Sequence, residues 1–450
     1  MRVLALVDGE HYPPVTRWGL ESAASRGLVV LAALLVGGAE KLGIDRRLDL
    51  GPVEVIDATE DPRGVLRRAI RTVNPEGVLD LSDEPVLGYG RRMEMIAEAL
   101  AAGVSYLGAD FRLDPPVTEP PLAVPTLAVI GTGKRIAKTA LGGHAARVAV
   151  AMGRRPVVVA MGRGGPAEPQ VAGPEDVTLE ALLARADRGE HAASDFLEDA
   201  LTAGVPTVGA RRVGGGLAGR PFATNLPEAA RMAVGLGPDL VILEGSGASV
   251  PTVPWDAGIL VAPATLPEDH LAGYLGPYRV LLSDLLVFII GAGPISGPDN
   301  LSALYPLARR LHADIRVAVA ELHPVPLGDV QGKEAFFATT AHRELAHRLA
   351  AQLERESGCH VGTVCSDLAD RAALERALAE APPFDVLLTE LKAAAVDVAA
   401  RRAVERGAEV VFVDNRPRTA GGEGELDELI ERTVELAGTR ASARTGSPAW

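Results

Sequence analysis

Cysteine is almost missing from this sequence: Cys359 and Cys365 are the only two among 450 residues. Two thiols build neither a disulfide framework nor a four-ligand zinc site, so a reducing, cytoplasmic setting is predicted. Long apolar runs are also missing. The longest, near Leu28–Val36 and Leu281–Ile290, fall short of the roughly 18–20 residues that span a bilayer, and Asp284 interrupts the second. The first seven residues run into Asp8 without the apolar length or cleavage site of a signal peptide. No membrane partner is expected. Net positive charge is lacking too: the formal charge is −14, which disfavours a nucleic-acid partner but leaves room for cations focused in one cleft. Aromatics make up only 4% against 47% hydrophobic residues overall, a balance that suits strands covered by Ala- and Leu-rich helices.

Lysine is the scarcest charge. Lys41, Lys134, Lys138, Lys333 and Lys392 stand against forty arginines, yet two of the five lie in the nine-residue segment Gly131–Thr139. A slim ammonium enters where a planar guanidinium does not fit, so this placement marks a site that needs lysine.

Strand-like and helix-like segments alternate along the chain. Arg2–Asp8, Val29–Leu35, Val53–Asp57, Gly77–Leu81 and Val104–Gly108 read as strands, with helices at Pro62–Thr72 and Tyr89–Ala102. The pattern predicts an α/β protein with parallel, doubly wound sheets in several domains. The expected division is 1–114, a Rossmann-like domain; 115–125, a Pro-rich linker; 126–280, a P-loop NTPase-like core; 281–438, a region that completes the core or forms a third domain; and 439–450, a loose tail. Within the core, Leu179–Ala203 reads as helical.

The segment Leu127–Thr139 passes from a buried strand through a glycine turn into a helix, the context of a phosphate-binding loop. Backbone N–H groups at Gly131, Thr132, Gly133, Lys134 and Arg135 can surround phosphates; Lys138 would reach the β/γ-phosphates of ATP, and Thr139 would ligate Mg²⁺. The spacing, Gly-x₅-Ala-Lys-Thr, is one residue longer than the common loop and resembles dethiobiotin synthetase-type ligases; Ala137 replaces the usual last glycine. Strand Asp239–Leu243 ends in Glu244, placed as a carboxylate for Mg²⁺. Anion-binding groups follow other strands: Arg163 among glycines, and Arg211-Arg212 ahead of Gly214-Gly215-Gly216. His191 and Asp195 are four apart, the spacing of one helical face. His11 after the first strand and Lys392 after a late one are further candidates. No His/Cys grouping has metal-site spacing.

Together these segments resemble the cyclic 2,3-diphosphoglycerate synthetase family. The likeness rests on Asp8–Pro14, Gly131–Ile136, Met161–Pro166, Gly209–Arg212 and Glu390–Ala395, and so spans nearly the whole chain. It implies an ATP- and Mg²⁺-dependent ligase that closes 2,3-diphosphoglycerate into a cyclic pyrophosphate, releasing ADP and phosphate through a mixed-anhydride intermediate. The roles then expected are these. Lys138, Lys134 and Arg163 are catalytic; Arg163, Arg211, Arg212, Gly215, Asp195, Lys392 and His11 hold the diphosphoglycerate; Thr139 and Glu244 serve the metal; and the enzyme is a homodimer. The residues by themselves leave open a kinase that makes 2,3-diphosphoglycerate, another P-loop carboxylate ligase, or a nucleotide-gated switch or metallochaperone.

Overall fold

The computed structural model describes residues 1–39, 42, 48–293 and 298–446. The chain divides into two compact units. One comprises Met1–Val117, Pro267–Leu282 and Ser302–Asp314; the other comprises Thr118–Leu266, Ser283–Leu301 and the chain from Ile315 on. The division differs from a strict succession of domains, because two helical stretches beyond residue 266 return to the first unit.

The first unit is built on a six-stranded sheet in the order Val55–Asp57, Val29–Leu35, Arg2–Val7, Gly77–Asp80, Ser105–Leu107, Arg112–Leu113. All pairs are parallel except the last. The strands form where apolar runs can be covered on both faces, and Val3 through Val7 are wholly buried. Helix Pro62–Val73 starts where the Asp61 side chain accepts from Gly64 N at 2.9 Å and stops at Asn74 in the left-handed region. Asp8, also buried, accepts from the backbone N–H groups of Glu10 and His11 at 3.0 Å and from Asp83 N at 2.7 Å, while His11 Nδ1 lies 2.8 Å from its Oδ1. The Asp8–His11 motif is therefore a tied turn within the first unit.

The second unit carries a thirteen-stranded sheet among the described residues. From Thr207–Val213 the order runs through Pro156–Gly162, Leu240–Glu244, Thr126–Gly131, Ala257–Pro263 and Leu285–Ile290 to Arg316–Pro326. It continues through Glu409–Gly422, Val386–Thr389 and Glu334–Ala338 to His360–Cys365. Strands Arg316–Pro326 and Glu409–Gly422 pair antiparallel, so the doubly wound sheet is not parallel throughout. The C-terminal region thus extends the central sheet instead of standing apart from it.

Two readings of local structure are corrected. Leu179–Ala203 is two helices, Leu179–Asp187 and Asp195–Ala203, because Gly189 at φ 74° breaks the run. Residues 439–445, expected to be loose, complete helix Leu426–Thr445. Ala437 and Ala441 are buried there, Arg440 reaches Asp284 at 2.8 Å, and Arg444 reaches Asp256 at 3.1 Å. Residues 447–450 lie outside the described residues. Among the described residues no helix is long and apolar enough to cross a membrane.

Candidate active site

Strand Thr126–Gly131 is buried along its length and lies between Leu240–Glu244 and Ala257–Pro263. It delivers the chain to the edge where the carboxyl ends of parallel strands open a crevice. Helix Lys138–Ala151 begins directly beyond the turn. Arg135 (φ 59°) and Ala137 (φ 67°) both adopt the left-handed conformation, and Ile136 between them is buried as an apolar pin. The sequence therefore puts a Cβ where the turn asks for glycine, at a cost of about 1–2 kcal/mol. Glycine would recover that but lose about 0.5–1 kcal/mol of chain entropy. Ala137→Gly is expected to gain roughly 0.5 kcal/mol in urea unfolding; a loss would mean that the Ala137 methyl, which packs on the core, contributes more than its backbone strain takes away.

Lys138 is only 9% exposed, and its Nζ donates to Gly133 O at 2.6 Å. Burial pulls its pKa down to about 8; Asp195 and Glu244 oppose that pull, while Arg212 and Arg163 add to it. The ammonium persists at neutral pH but lacks charge compensation, so an arriving anion is favoured.

A cavity of about 300 Å³ opens over this loop. Lys134, Arg135, Lys138 and Thr139 line it from the loop and helix, Arg163 from the end of Pro156–Gly162, and Lys392 from the turn after Val386–Thr389. His191 and Asp195 line it as well, although not from one helical face: His191 precedes the helix that Asp195 begins, and its ring packs on Gly164. Gly247, at φ 60°, shows how close the cations come. A Cβ there would stand 3.1 Å from Arg212 Nη2 and 3.2 Å from Arg163 Nη2.

Other expected residues stand behind this wall or away from it. Arg212 is buried and donates to Gly214 O at 2.6 Å and Ser246 O at 2.8 Å, so it braces the turn that forms the far side of the cavity. Arg211 is exposed and donates to Gly165 O at 3.1 Å, steadying the Arg163 turn. Gly215 sits beside Arg212, and Gly131, Thr132 and Gly133 shape the loop without lining the cavity. His11 belongs to the first unit.

Beneath the loop, Glu244, expected from the sequence, joins two buried acids that the sequence did not single out, Glu198 and Asp199. Glu198, Asp199 and Glu244 are each under 10% exposed. Glu244 Oε1, Glu198 Oε2 and both oxygens of Asp199 have no hydrogen-bond partner among the described residues. Burial raises all three: Glu198 to about 7, and Asp199 and Glu244 well above the ordinary carboxylate range, with the acids reinforcing one another. Gly142 makes room for this layer, since a Cβ there would strike Glu244 Oε1. Paired glycines at 142–143 inside a helix were the signal. Lys392 is the counter-charge: its Nζ lies 2.8 Å from Glu198 Oε1. Burial would lower its pKa, but Glu198, Glu390 and Asp195 outweigh that and raise it. Glu390 is itself clamped by Thr339, Thr340 and Asn415 at 2.7–3.3 Å.

Three family models match the chain between residues 2 and 416. They are the cyclic 2,3-diphosphoglycerate synthetase N-terminal domain over residues 2–114, P-loop domain over 126–320 and C-terminal domain over 326–416. A cyclic 2,3-diphosphoglycerate synthetase of Rubrobacter xylanophilus is 44% identical over 99% of this chain and 100% of its own length. One from Methanothermus fervidus is 38% identical over 97% of each chain. Among solved structures, LpxK from Aquifex aeolicus in complex with ATP is similar over 71% of this chain and 90% of its own at 14% identity, with a TM-score of 0.36. The likeness to dethiobiotin synthetase rests on the loop's spacing alone.

Proposed function

The chain belongs to the cyclic 2,3-diphosphoglycerate synthetase family, and from that premise we propose that it closes 2,3-diphosphoglycerate into its cyclic pyrophosphate with ATP, releasing ADP and phosphate. The observation that carries the reading is the convergence on one cavity of Lys134 and Lys138 from the loop, Arg163 from the end of Pro156–Gly162 and Lys392 from the C-terminal part of the sheet. A nucleotide's phosphates alone do not call for cations from three separate stretches; a second polyanion brought beside them does.

A fully ionised phosphate is both a weak nucleophile and a weak leaving group. In the first step an oxygen of one substrate phosphate attacks the γ-phosphorus of ATP, the bond to the β-phosphate oxygen breaks, and ADP leaves. The substrate now carries an anhydride. In the second step an oxygen of the neighbouring phosphate attacks the inner phosphorus of that anhydride and expels inorganic phosphate, which closes the ring. Both steps press anions together, so the residues act by neutralising and aligning charge. Lys138 and Lys134 hold the ATP phosphates, Lys138 follows the phosphoryl in flight, and Arg163 holds the substrate. Arg211 and Arg212 keep Arg163 and the Ser246 turn in place.

Magnesium, if bound with the triphosphate, would supply charge neutralisation. Among the described residues no group of three or more acids, histidines or cysteines is arranged to hold a metal. That agrees with a magnesium bound through phosphates, waters and one or two protein groups. The Thr139 hydroxyl on the cavity wall and the unpartnered Glu244 Oε1 are the groups that fit.

Phosphorus NMR of the enzyme with ATP, Mg²⁺ and 2,3-diphosphoglycerate should show a coupled pyrophosphate pair on the glycerate. ADP and phosphate with unchanged glycerate would overturn the reading. Arg163→Ala should raise the KM for 2,3-diphosphoglycerate by about 10- to 100-fold, the worth of a charge-assisted hydrogen bond, and the KM for ATP far less. The reverse split would reassign Arg163 to the nucleotide.

A further inference from the structure

We propose that the first unit carries a second polyanion site, separate from the phosphate loop, that binds a small molecule bearing two or more phosphate groups. It is a cavity of about 880 Å³, against about 300 Å³ over the loop, and its walls belong to one compact unit. Helix Pro62–Val73 contributes Arg63, Arg67, Arg68 and Arg71; Arg310 and His312 face them from the end of helix Leu301–Leu311 and the residue after it. Five arginines stand there against the carboxylates of Asp61, Glu98 and Asp314, an excess of positive charge in a chain of net charge −14, and it uses the side chain whose planar fork grips phosphate bidentately.

Part of the cluster is structural. Arg63 and Arg67 share the buried carboxylate of Glu98, at 2.8 and 2.5 Å, and Arg63 also donates to the helix-end carbonyls of Arg310 and Leu311 at 3.3 and 2.8 Å. Arg310 reaches Glu94 at 2.7 Å, and Arg68 lies 3.6 Å from Asp61. Arg63 also lies 3.6 Å from Glu94, so these pairs fix the walls with three guanidiniums, of Arg63, Arg67 and Arg310, on two carboxylates, which leaves positive charge over. The rest makes no ion pair, although Arg71 sits in the last turn of its helix, where a cation also complements the helix dipole. Arg71 stands at i+4 from Arg67 and i+8 from Arg63, where like charges repel, and among the described residues no carboxylate lies within ion-pair distance of it or of His312. Buried His312 Nδ1 has no hydrogen-bond partner either. A fold that needed only its ion pairs would not keep a third arginine on the same stripe; an anion in the cavity compensates it.

The test is hydrogen exchange of the full chain titrated with inorganic tripolyphosphate. Protection should develop over 62–73 and 305–314 in addition to the phosphate loop. Arg71→Glu should weaken the first set at least tenfold and leave both the loop protection and turnover without added tripolyphosphate unchanged. Arg26→Glu, an equal charge change on an exposed residue outside the cavity, should do neither. Competition with 2,3-diphosphoglycerate and with ATP identifies which phosphorylated compound displaces the probe, and displacement by either supports the site. Protection confined to the phosphate loop, or equal weakening by both substitutions, would overturn it.

Discussion

Lys138→Met should yield a protein that is inactive and, without nucleotide, more stable than the parent. Turnover is expected to fall by about 10³-fold or more, because the proposed function assigns this ammonium to the transferring phosphoryl. The stability gain follows from the environment of Lys138. Its pKa in the fold is about 8 against an ordinary 10.5, chiefly through burial, so holding the charge at neutral pH costs on the order of 3 kcal/mol. Methionine fills the same volume without charge. The folded form sheds the proton before the unfolded form does, so wild-type stability rises with pH between about 8 and 10.5. The advantage of Lys138→Met is therefore full below pH 8 and disappears toward 10.5. Urea unfolding of the second unit at pH 7 and pH 10, without ATP, measures it. Equal stability at pH 7 would show that the ammonium is solvated in the fold and not strained. Saturating ATP·Mg²⁺ should reverse the order by stabilising only the wild type.

How much of this was legible in the sequence depends on what each residue touches. The loop was legible because its parts are contiguous: strand, glycine turn, lysine and helix stand within thirteen residues, and the scarcity of lysine singled out Lys138. Lys392 was legible for the same reason. Beyond Glu244, the acid layer was not. Glu198 and Asp199 lie inside a helix whose pattern reads as ordinary amphipathic surface, and only the packing of that helix against Pro156–Gly162 and Lys138–Ala151 turns the carboxylates inward. Arg211 and Arg212 are adjacent in sequence, but in a strand neighbours face opposite ways; one braces a buried turn while the other stays exposed. Strand Glu334–Ala338 escaped because its apolar stretch is four residues long and preceded by polar ones, whereas the strands pairing on either side of it define it at once. The loose-tail reading of 439–445 failed because small residues signal disorder only when nothing covers them; Ala441 is covered, and Arg440 and Arg444 are anchored.

The same substitution at the other cavity lysine should act in the opposite direction on stability. Lys392→Met leaves Glu198, 7% exposed, without the ammonium 2.8 Å away, while Asp199, Asp195 and Glu244 remain close by. Removing one partner of a fully buried pair costs about 3–5 kcal/mol; the Lys392 side chain is 29% exposed, so about 2 kcal/mol is expected at pH 8. The loss must depend on pH. Glu198 holds its proton up to about pH 7 even with Lys392 present, and without it the carboxyl titrates higher still. A carboxyl raised in the fold loses stability as pH climbs from its unfolded value through its folded one, so in Lys392→Met that loss extends beyond pH 7. Burial pulls the Lys392 pKa down, but Glu198, Glu390 and Asp195 raise it, so its contribution spans the range below 10.5 and loses only the Glu198 share as that carboxyl takes up its proton below about pH 7. Unfolding at pH 5.5 should therefore show a smaller difference from wild type than unfolding at pH 8. Lys392→Arg, which keeps the positive charge, should recover most of the stability. If the two pH values gave the same loss, Glu198 would not be the group that Lys392 balances.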